Sequence, residues 1–300
     1  MNKMDKVGWN QQPQPNPPNF GQARMVPRFS LDLSVALRRP RCRKIIANHE
    51  DYTHQEPGLI SICILCCKRA FELERLYRSM NEFLTSLEPN CNVEKILVDN
   101  GSGDDLIHRA ESWGFFDRII AHPKNLGMAV ALNKVFPECS GEFILLVEED
   151  FVLDYHKPFL KACVEVFSEY PEIGLIRLKN QNNWWKPHRR IGPLRTTKCG
   201  AEFWTWLPAR HWRPSKDRTL NVWAARSVMF RKVSFTATGS IPIGPNVSRN
   251  YPEHQGILYE EAYGKRYNRN WLAAKIKNCY PFVQPDDNPE SPGWDDLRGN

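Results

Sequence analysis

The sequence predicts an α/β fold in which a mostly parallel central sheet carries helices on both faces, followed by a less regular C-terminal half. Two observations lead there. From Leu59 to Leu178, short apolar runs alternate with segments of helical period, at roughly 20 to 30 residues per strand–helix unit. The runs are apolar throughout, as strands covered on both faces must be. Composition agrees: 41 % hydrophobic, 25 % charged and 11 % aromatic residues exclude a disordered, collagen-like or coiled-coil chain. No window approaches the roughly 18 consecutive apolar residues of a membrane span.

The elements follow in order. Residues 1–28 are rich in Gln, Asn and Pro, with too few apolar side chains to offset the entropy of ordering, and are expected to be a disordered tail. Residues 29–57 form a basic extension, with a short helix around Leu31–Leu37 and then Arg38, Arg39, Arg41, Arg43 and Lys44. Leu59–Cys67 reads as a buried strand, and Phe71–Leu87 as a helix with Leu73, Leu76, Met80, Phe83 and Leu87 on one face. Val93–Val98 is a second strand, ending in the turn cluster Asp99-Asn100-Gly101-Ser102. Asp105–Trp113 is helical, Arg118–Ala121 a third strand, and Asn125-Leu126-Gly127 opens a helix through Val135. Phe143–Val147 is a fourth strand running into Glu148-Glu149-Asp150, followed by a helix over Lys157–Phe167 and a strand over Gly174–Leu178. Residues 58–180 thus form one regular half and residues 181–300 another.

Charge and cysteines narrow the setting. The formal net charge is +7, concentrated in the basic extension and between Gln181 and Lys232, where twelve Lys and Arg face two acids, Glu202 and Asp217. Such stretches suit anionic partners: phosphates, nucleic acid or lipid head groups. Nine scattered cysteines do not make a secreted disulfide framework, and the first residues lack the apolar core of a signal peptide, so a cytoplasmic location is expected. Cys63 and Cys66 have half the spacing of a zinc site, but no second pair follows.

In an open parallel sheet, ligands bind beyond the C-terminal ends of the strands. That rule brings Asp99 and the Glu148-Glu149-Asp150 cluster together. An extended chain puts Glu148 and Asp150 on one side, where two carboxylates suit a hard divalent cation completed by water and phosphate oxygens. Such a cation neutralises a diphosphate leaving group.

These segments resemble a known family. Ser61-Ile-Cys-Ile-Leu-Cys-Cys-Lys-Arg69 with Leu76-Tyr-Arg-Ser79 resembles the opening strand and helix of family-2-like glycosyltransferases of the GT-A fold. Leu97-Val-Asp99-Asn100-Gly101-Ser102 resembles their second-strand motif, and the stretches Asn125–Asn133 and Gly141–Asp150 resemble the approach to their acidic motif. The resemblance implies a GT-A-type Rossmann-like sandwich, an inverting transfer from a nucleotide-diphosphate sugar, a UDP-sugar above all, and Mn2+ or Mg2+. It implies that Asp99 meets the base, that Cys66, Lys68, Arg69 and Asn125 line the nucleotide pocket, and that Glu148, Glu149 and Asp150 surround the ribose and diphosphate. Glu148 and Asp150 would hold the metal, with Glu148 standing where the family usually has Asp.

In the C-terminal half, Asn221–Lys232 resembles an apolar strand followed by an Arg, and Tyr259–Arg266 the family's acidic pair opening a helix. By that resemblance Glu260, or alternatively Glu261, takes the proton of the acceptor hydroxyl, and chemistry requires some such base. The strand Lys275–Gln284 places Gln284 where relatives carry a metal-binding His, with His254, Asp286 and Asp287 as substitutes. Six tryptophans (Trp184, Trp185, Trp204, Trp206, Trp212 and Trp223) share the basic region, and two or three are expected to line a glycan or other hydroxyl-acceptor cleft. Two other readings stay open: a sugar nucleotidyltransferase, although Cys66–Arg69 is not its Gly-rich basic loop, and a non-catalytic glycan- or nucleic-acid-binding protein. Nucleic acid is the less favoured partner.

Overall fold

A computed structural model of the chain describes residues 24–25, 27–50, 55–178, 190–207, 227–243 and 262–285. The chain runs β1 (Arg24–Met25), α1 (Arg28–Glu50), β2 (Glu56–Cys66), α2 (Ala70–Ser86), β3 (Val93–Asn100), α3 (Asp104–Ser112), β4 (Arg118–His122), α4 (Met128–Glu138) and β5 (Gly141–Glu148). It continues through β6 (Val152–Leu153), α5 (Leu160–Glu169), β7 (Ile173–Arg177), β8 (Arg190–Ile191), β9 (Arg195–Thr196), β10 (Glu202–Leu207), β11 (Val228–Arg231), α6 (Lys232–Thr238), β12 (Leu272–Ile276) and β13 (Phe282–Val283).

Strands β4, β3, β2 and β5 lie side by side and parallel. Beyond β5, β11 runs antiparallel, and β7 and β12 resume the parallel direction. β10 is antiparallel to β12, with β8 and β1 at the far edge. The short β6–β13 ribbon stands apart from the large sheet.

The two-residue period of a strand sends alternate side chains to opposite layers. Ile60, Ile62 and Ile64 of β2 join Leu97, Leu145 and Val147 in a layer covered by α2, α3 and α5. Cys63 and Leu65 join Ile96, Val98, Ile144 and Leu146 in the other, covered by α4 and α6. The same period explains why Cys63 and Cys66 do not chelate together: they lie on opposite faces of β2, and all nine cysteines are free thiols.

Three expected elements came out differently. Of the tail expected to be disordered over residues 1–28, Arg24–Met25 pairs with β8 as β1 and Arg28 opens α1, while residues 1–23 and 26 lie outside the described residues. The short helix at 31–37 is a 23-residue helix, α1, that continues through Pro40 and the basic run. The strand expected at 275–284 is two short strands, β12 and β13, separated by a turn at 277–278 in which Asn278 has φ 56°. The regular strand–helix units from β2 to β7 match their expected positions to within a few residues.

Candidate active site

Register decides what meets at the C-terminal ends of the parallel strands. Cys66 pairs with Asp99 on one side, and its neighbour Leu65 pairs with Glu148 on the other. The ends of β3, β2 and β5 therefore form one rim, and the loops after them face a common crevice.

The first two loops are tied together. Lys68 adopts a left-handed backbone, φ 58°, and its N–H donates to Ser102 Oγ at 2.7 Å. The Ser102 N–H donates in turn to both Asp99 carboxylate oxygens, at 3.2 and 3.1 Å. Gly101, with φ 87°, lies against the third loop: a Cβ there would sit 2.3 Å from the Asn125 nitrogen. Glycine is needed at this position for both its φ and its lack of a side chain. Asn125 Oδ1 accepts from Asn100 Nδ2 at 2.9 Å and from the Gly127 N–H at 2.8 Å. Asn100 Oδ1 accepts the Leu126 N–H at 2.9 Å.

Asp99 is fully buried in this arrangement, so its carboxylate holds the Ser102 loop rather than facing the crevice. Cys66 is likewise buried, its thiol pushed well above its ordinary value by burial, and it offers the crevice only main chain. Lys68 is exposed and Arg69 half-buried.

The acidic cluster is a turn and not the extended stretch expected, since the Phe151 N–H donates back to the Glu148 carbonyl at 3.3 Å. The turn separates the three carboxylates by environment. Glu148 ends β5 half-exposed. Glu149 is buried, and burial, reinforced by the Asp150 charge and partly opposed by Arg69, pushes its carboxyl up to about 8, so it is mostly protonated at neutral pH.

Asp150 is the most constrained. Its Oδ2 accepts from Gln284 Nε2 at 2.6 Å and lies 3.5 Å from Arg69 Nη1, while Oδ1 is buried with no hydrogen-bond partner among the described residues. Arg69 Nε also lies 3.8 Å from Glu149 Oε1. A buried carboxylate oxygen lacking a donor is costly unless a cation or donor meets it. Glu148 and Asp150 carry hard oxygen donors of the type that divalent cations take together with water and phosphate. Among the described residues no group of three His, Cys, Asp or Glu could hold a metal by itself.

Gln284 thus reaches the acidic cluster, bonded to Asp150 through its amide nitrogen, and β13 carries it there by pairing with β6 just after Asp150. Glu260, Glu261, His254, Asp286 and Asp287 lie outside the described residues, as do Trp184, Trp185, Trp212 and Trp223. Trp204 and Trp206, in β10, are buried in the core, and Arg231 and Lys232 are structural: Arg231 Nε donates to the Ile173 carbonyl at 3.2 Å and Lys232 Nζ to the Cys139 carbonyl at 2.6 Å.

Sequence reasoning missed Arg75 and Phe71 on α2. Burial lowers the Arg75 guanidinium from its ordinary value, and the charges of Glu72 and Asp150 oppose that shift. Its Nε is buried with no hydrogen-bond partner among the described residues, and its Cζ lies 5.9 Å from the centre of the Phe71 ring, which is 59 % exposed. The only sequence signal was a cation one turn into the helix that follows the first loop.

The architecture has relatives among solved structures. S. aureus TarS 1-349 covers 74 % of this chain and is itself covered over 59 %, at 13 % identity and a TM-score of 0.49. The mannosyltransferase PcManGT from Pyrobaculum calidifontis, in complex with GDP-Man and Mn2+, covers 80 % and is covered over 61 %, at 13 % identity and a TM-score of 0.46. GalNAc-T7 with UDP, GalNAc and Mn2+ covers 73 % and is covered over 42 %, at 10 % identity and a TM-score of 0.46. This chain therefore spans less than two thirds of each. No curated protein matches it. At the level of sequence, the model of glycosyl transferase family 2 matches residues 61–235, from the second residue pair of β2's buried stretch into α6. That span is more than half of the 300 residues, and the chain belongs to glycosyl transferase family 2.

Proposed function

We propose that the crevice at the ends of β2, β3 and β5 binds a nucleotide-diphosphate sugar, a UDP-sugar foremost, and that the chain transfers the sugar to a hydroxyl acceptor with inversion. The observation that carries this reading is Asp150: Arg69 and Gln284 hold one of its oxygens, and the other is buried with no donor among the described residues. The loops supply the rest. Main chain at Cys66–Arg69, braced by Ser102, offers a wall for the nucleoside, and Lys68 and Arg69 bring positive charge to the diphosphate. Asp99 preorganises this wall by fixing Ser102, and it reaches a base only when that N–H is released.

Glu148 and Asp150 are the residues that would hold Mn2+ or Mg2+. Such a cation, when bound, offsets the charge of a departing nucleoside diphosphate. Glu149, mostly protonated, adds little charge to the cluster at neutral pH. On the acceptor side, Glu260 accepts the hydroxyl proton as the sugar moves, with Glu261 stabilising the start of the helical stretch at 262–267. A glycan or other hydroxyl compound is the acceptor.

The test is a panel of nucleotide sugars incubated with the protein and Mn2+, reading release of nucleoside diphosphate. Turnover of at least one donor, lost in both Asp150→Ala and Glu148→Ala, supports the reading. Full turnover in both variants removes the acidic cluster from it, and no turnover of any donor, with or without acceptors, removes the enzyme itself.

A further inference from the structure

The basic extension is not absorbed by the transfer reaction. It folds as α1, which crosses the sheet at the end opposite the acidic cluster: its Cys42 Sγ lies 3.1 Å from the carbonyl of Asn270, just before β12, and Arg39 binds Glu172, just before β7. Its inner face is fixed. Leu31 and Cys42 are buried, Arg38 Nη2 donates to the Asn268 carbonyl at 3.2 Å, and Arg39 donates to Glu172 through Nε and Nη2 at 2.9 and 3.0 Å.

The outer face therefore cannot turn inward, and it is apolar where solvent should favour polar groups. Phe29 is 75 % exposed, Leu33 44 % and Leu37 68 %. Four-residue spacing sets them in one line, each about 40° round from the last. One turn further on, Arg41, Arg43 and Lys44 are exposed. At about 100° per residue, Lys44 falls within the arc of the apolar line, with Arg41 about 40° beyond Leu37 and Arg43 about 40° before Phe29. Arg28 stands at the other end, beside Asp32. Apolar side chains along the crest and cations along the flanks are the arrangement of a helix lying in a lipid–water interface, where the cations extend outward to head groups.

We infer that α1 is a peripheral membrane anchor that seats Phe29, Leu33 and Leu37 in the surface of an anionic bilayer, with Arg41, Arg43 and Lys44 on its head groups. A bilayer suits this face better than a protein groove does. The ridge is convex, and its cations point over about 160° of arc, which a plane of mobile anions meets and a single acidic cluster does not. No helix among the described residues is long and apolar enough to cross a membrane, so α1 would lie on the surface. Seated this way, the chain turns its acidic crevice away from the lipid, toward the aqueous phase.

The test is flotation of the full chain with phosphatidylcholine vesicles, alone or with about 30 % phosphatidylserine. It needs no catalytic activity and so stands apart from the transfer assay. The wild type should float with the anionic vesicles at least about tenfold more than with the neutral ones, and salt should weaken this binding. The triple variant F29S/L33S/L37S and the triple variant R41E/R43E/K44E should each lose binding by at least about tenfold, with unfolding temperatures near the wild type because the changed side chains are exposed. The leucine variant F29L should keep binding. Absence of wild-type flotation overturns the inference. So does unchanged flotation of F29S/L33S/L37S. A wild-type dimer that this variant turns into a monomer, without vesicle binding, overturns it in favour of self-association.

Discussion

At the C-terminal ends of β2, β3 and β5, acids and arginines meet in a crevice with one carboxylate oxygen, Asp150 Oδ1, left without a donor among the described residues. At the N-terminal ends of β7 and β12 the same residue types meet around one carboxylate that arginines saturate. Glu172 is fully buried, and it accepts two bonds from Arg39, at 2.9 and 3.0 Å, and one from Arg195 at 2.9 Å. Arg195 in turn stacks 4.0 Å from the centre of the Tyr170 ring. Burial by itself would raise the Glu172 carboxyl, but the Arg39 and Arg195 contacts outweigh it and hold the group below its ordinary value. Acidic groups thus serve two purposes in one sheet: where donors saturate them they tie α1 and β9 to the fold, and where they do not, they can receive a ligand.

Five substitutions probe this division. The largest effect is expected at Glu260: Glu260→Gln keeps shape and removes basicity, so sugar transfer should fall by roughly 10²–10⁴ while donor binding survives. Glu261→Gln should change transfer little, and the reverse pattern in the same kinetic assay would exchange the two roles. Next comes Glu172→Gln, which leaves two arginines facing a neutral amide in a buried site. Denaturant unfolding should show a loss of about 3–5 kcal/mol, with kcat unchanged in whatever protein remains folded. A loss below about 1 kcal/mol would mean that the saturated end is not structural.

Lys275 provides a third case, a buried cation that belongs to neither end. Burial, reinforced by Arg177 and opposed by Cys279, pulls its ammonium down to about 7 from 10.5. The unfolded chain therefore binds more protons than the folded one between about pH 7 and 10.5, and stability should rise with pH across that window. Lys275→Met should melt higher than wild type near neutral pH, with the gap narrowing as pH rises through this window. A gap that stays constant with pH would show that Lys275 is charged in the folded state. The smallest effect is expected from Arg75→Met, which should weaken nucleoside diphosphate binding by about fivefold and leave the unfolding temperature unchanged. Equal affinity by calorimetry would assign Arg75 to the surface of α2 alone.

The sequence made the two kinds of region unequally legible. Strands β2, β3 and β5 are buried on both faces, so Leu59–Cys67 and Phe143–Val147 are unbroken apolar runs that allow little but a central strand. The helices between them carry clear apolar periods, as in Leu73, Leu76, Met80 and Phe83. Once those elements were placed, Asp99 and Glu148 had to lie at one edge. What the sequence could not show was which of these acids faces the crevice. Asp99 is enclosed because Ser102, three residues on, turns its N–H back to it, and Glu149 is buried because residues 149–150 form a turn. α1 was read short because its inward face is narrow and broken by Arg38 and Arg39, whose charges are met by Asn268 and Glu172, far along the chain. The Asp150–Gln284 contact spans 134 residues, and only a resemblance, not any local pattern, pointed to it.

The most direct test of the central claim is calorimetric titration of the protein with UDP, in Mn2+ and in chelator, for the wild type and Asp150→Ala. The account predicts wild-type binding that Mn2+ strengthens by at least about tenfold, and binding in Asp150→Ala that is the same with and without the metal. Mn2+ strengthening UDP binding equally in both proteins would contradict it, because the buried oxygen of Asp150 would then have no part in receiving the donor.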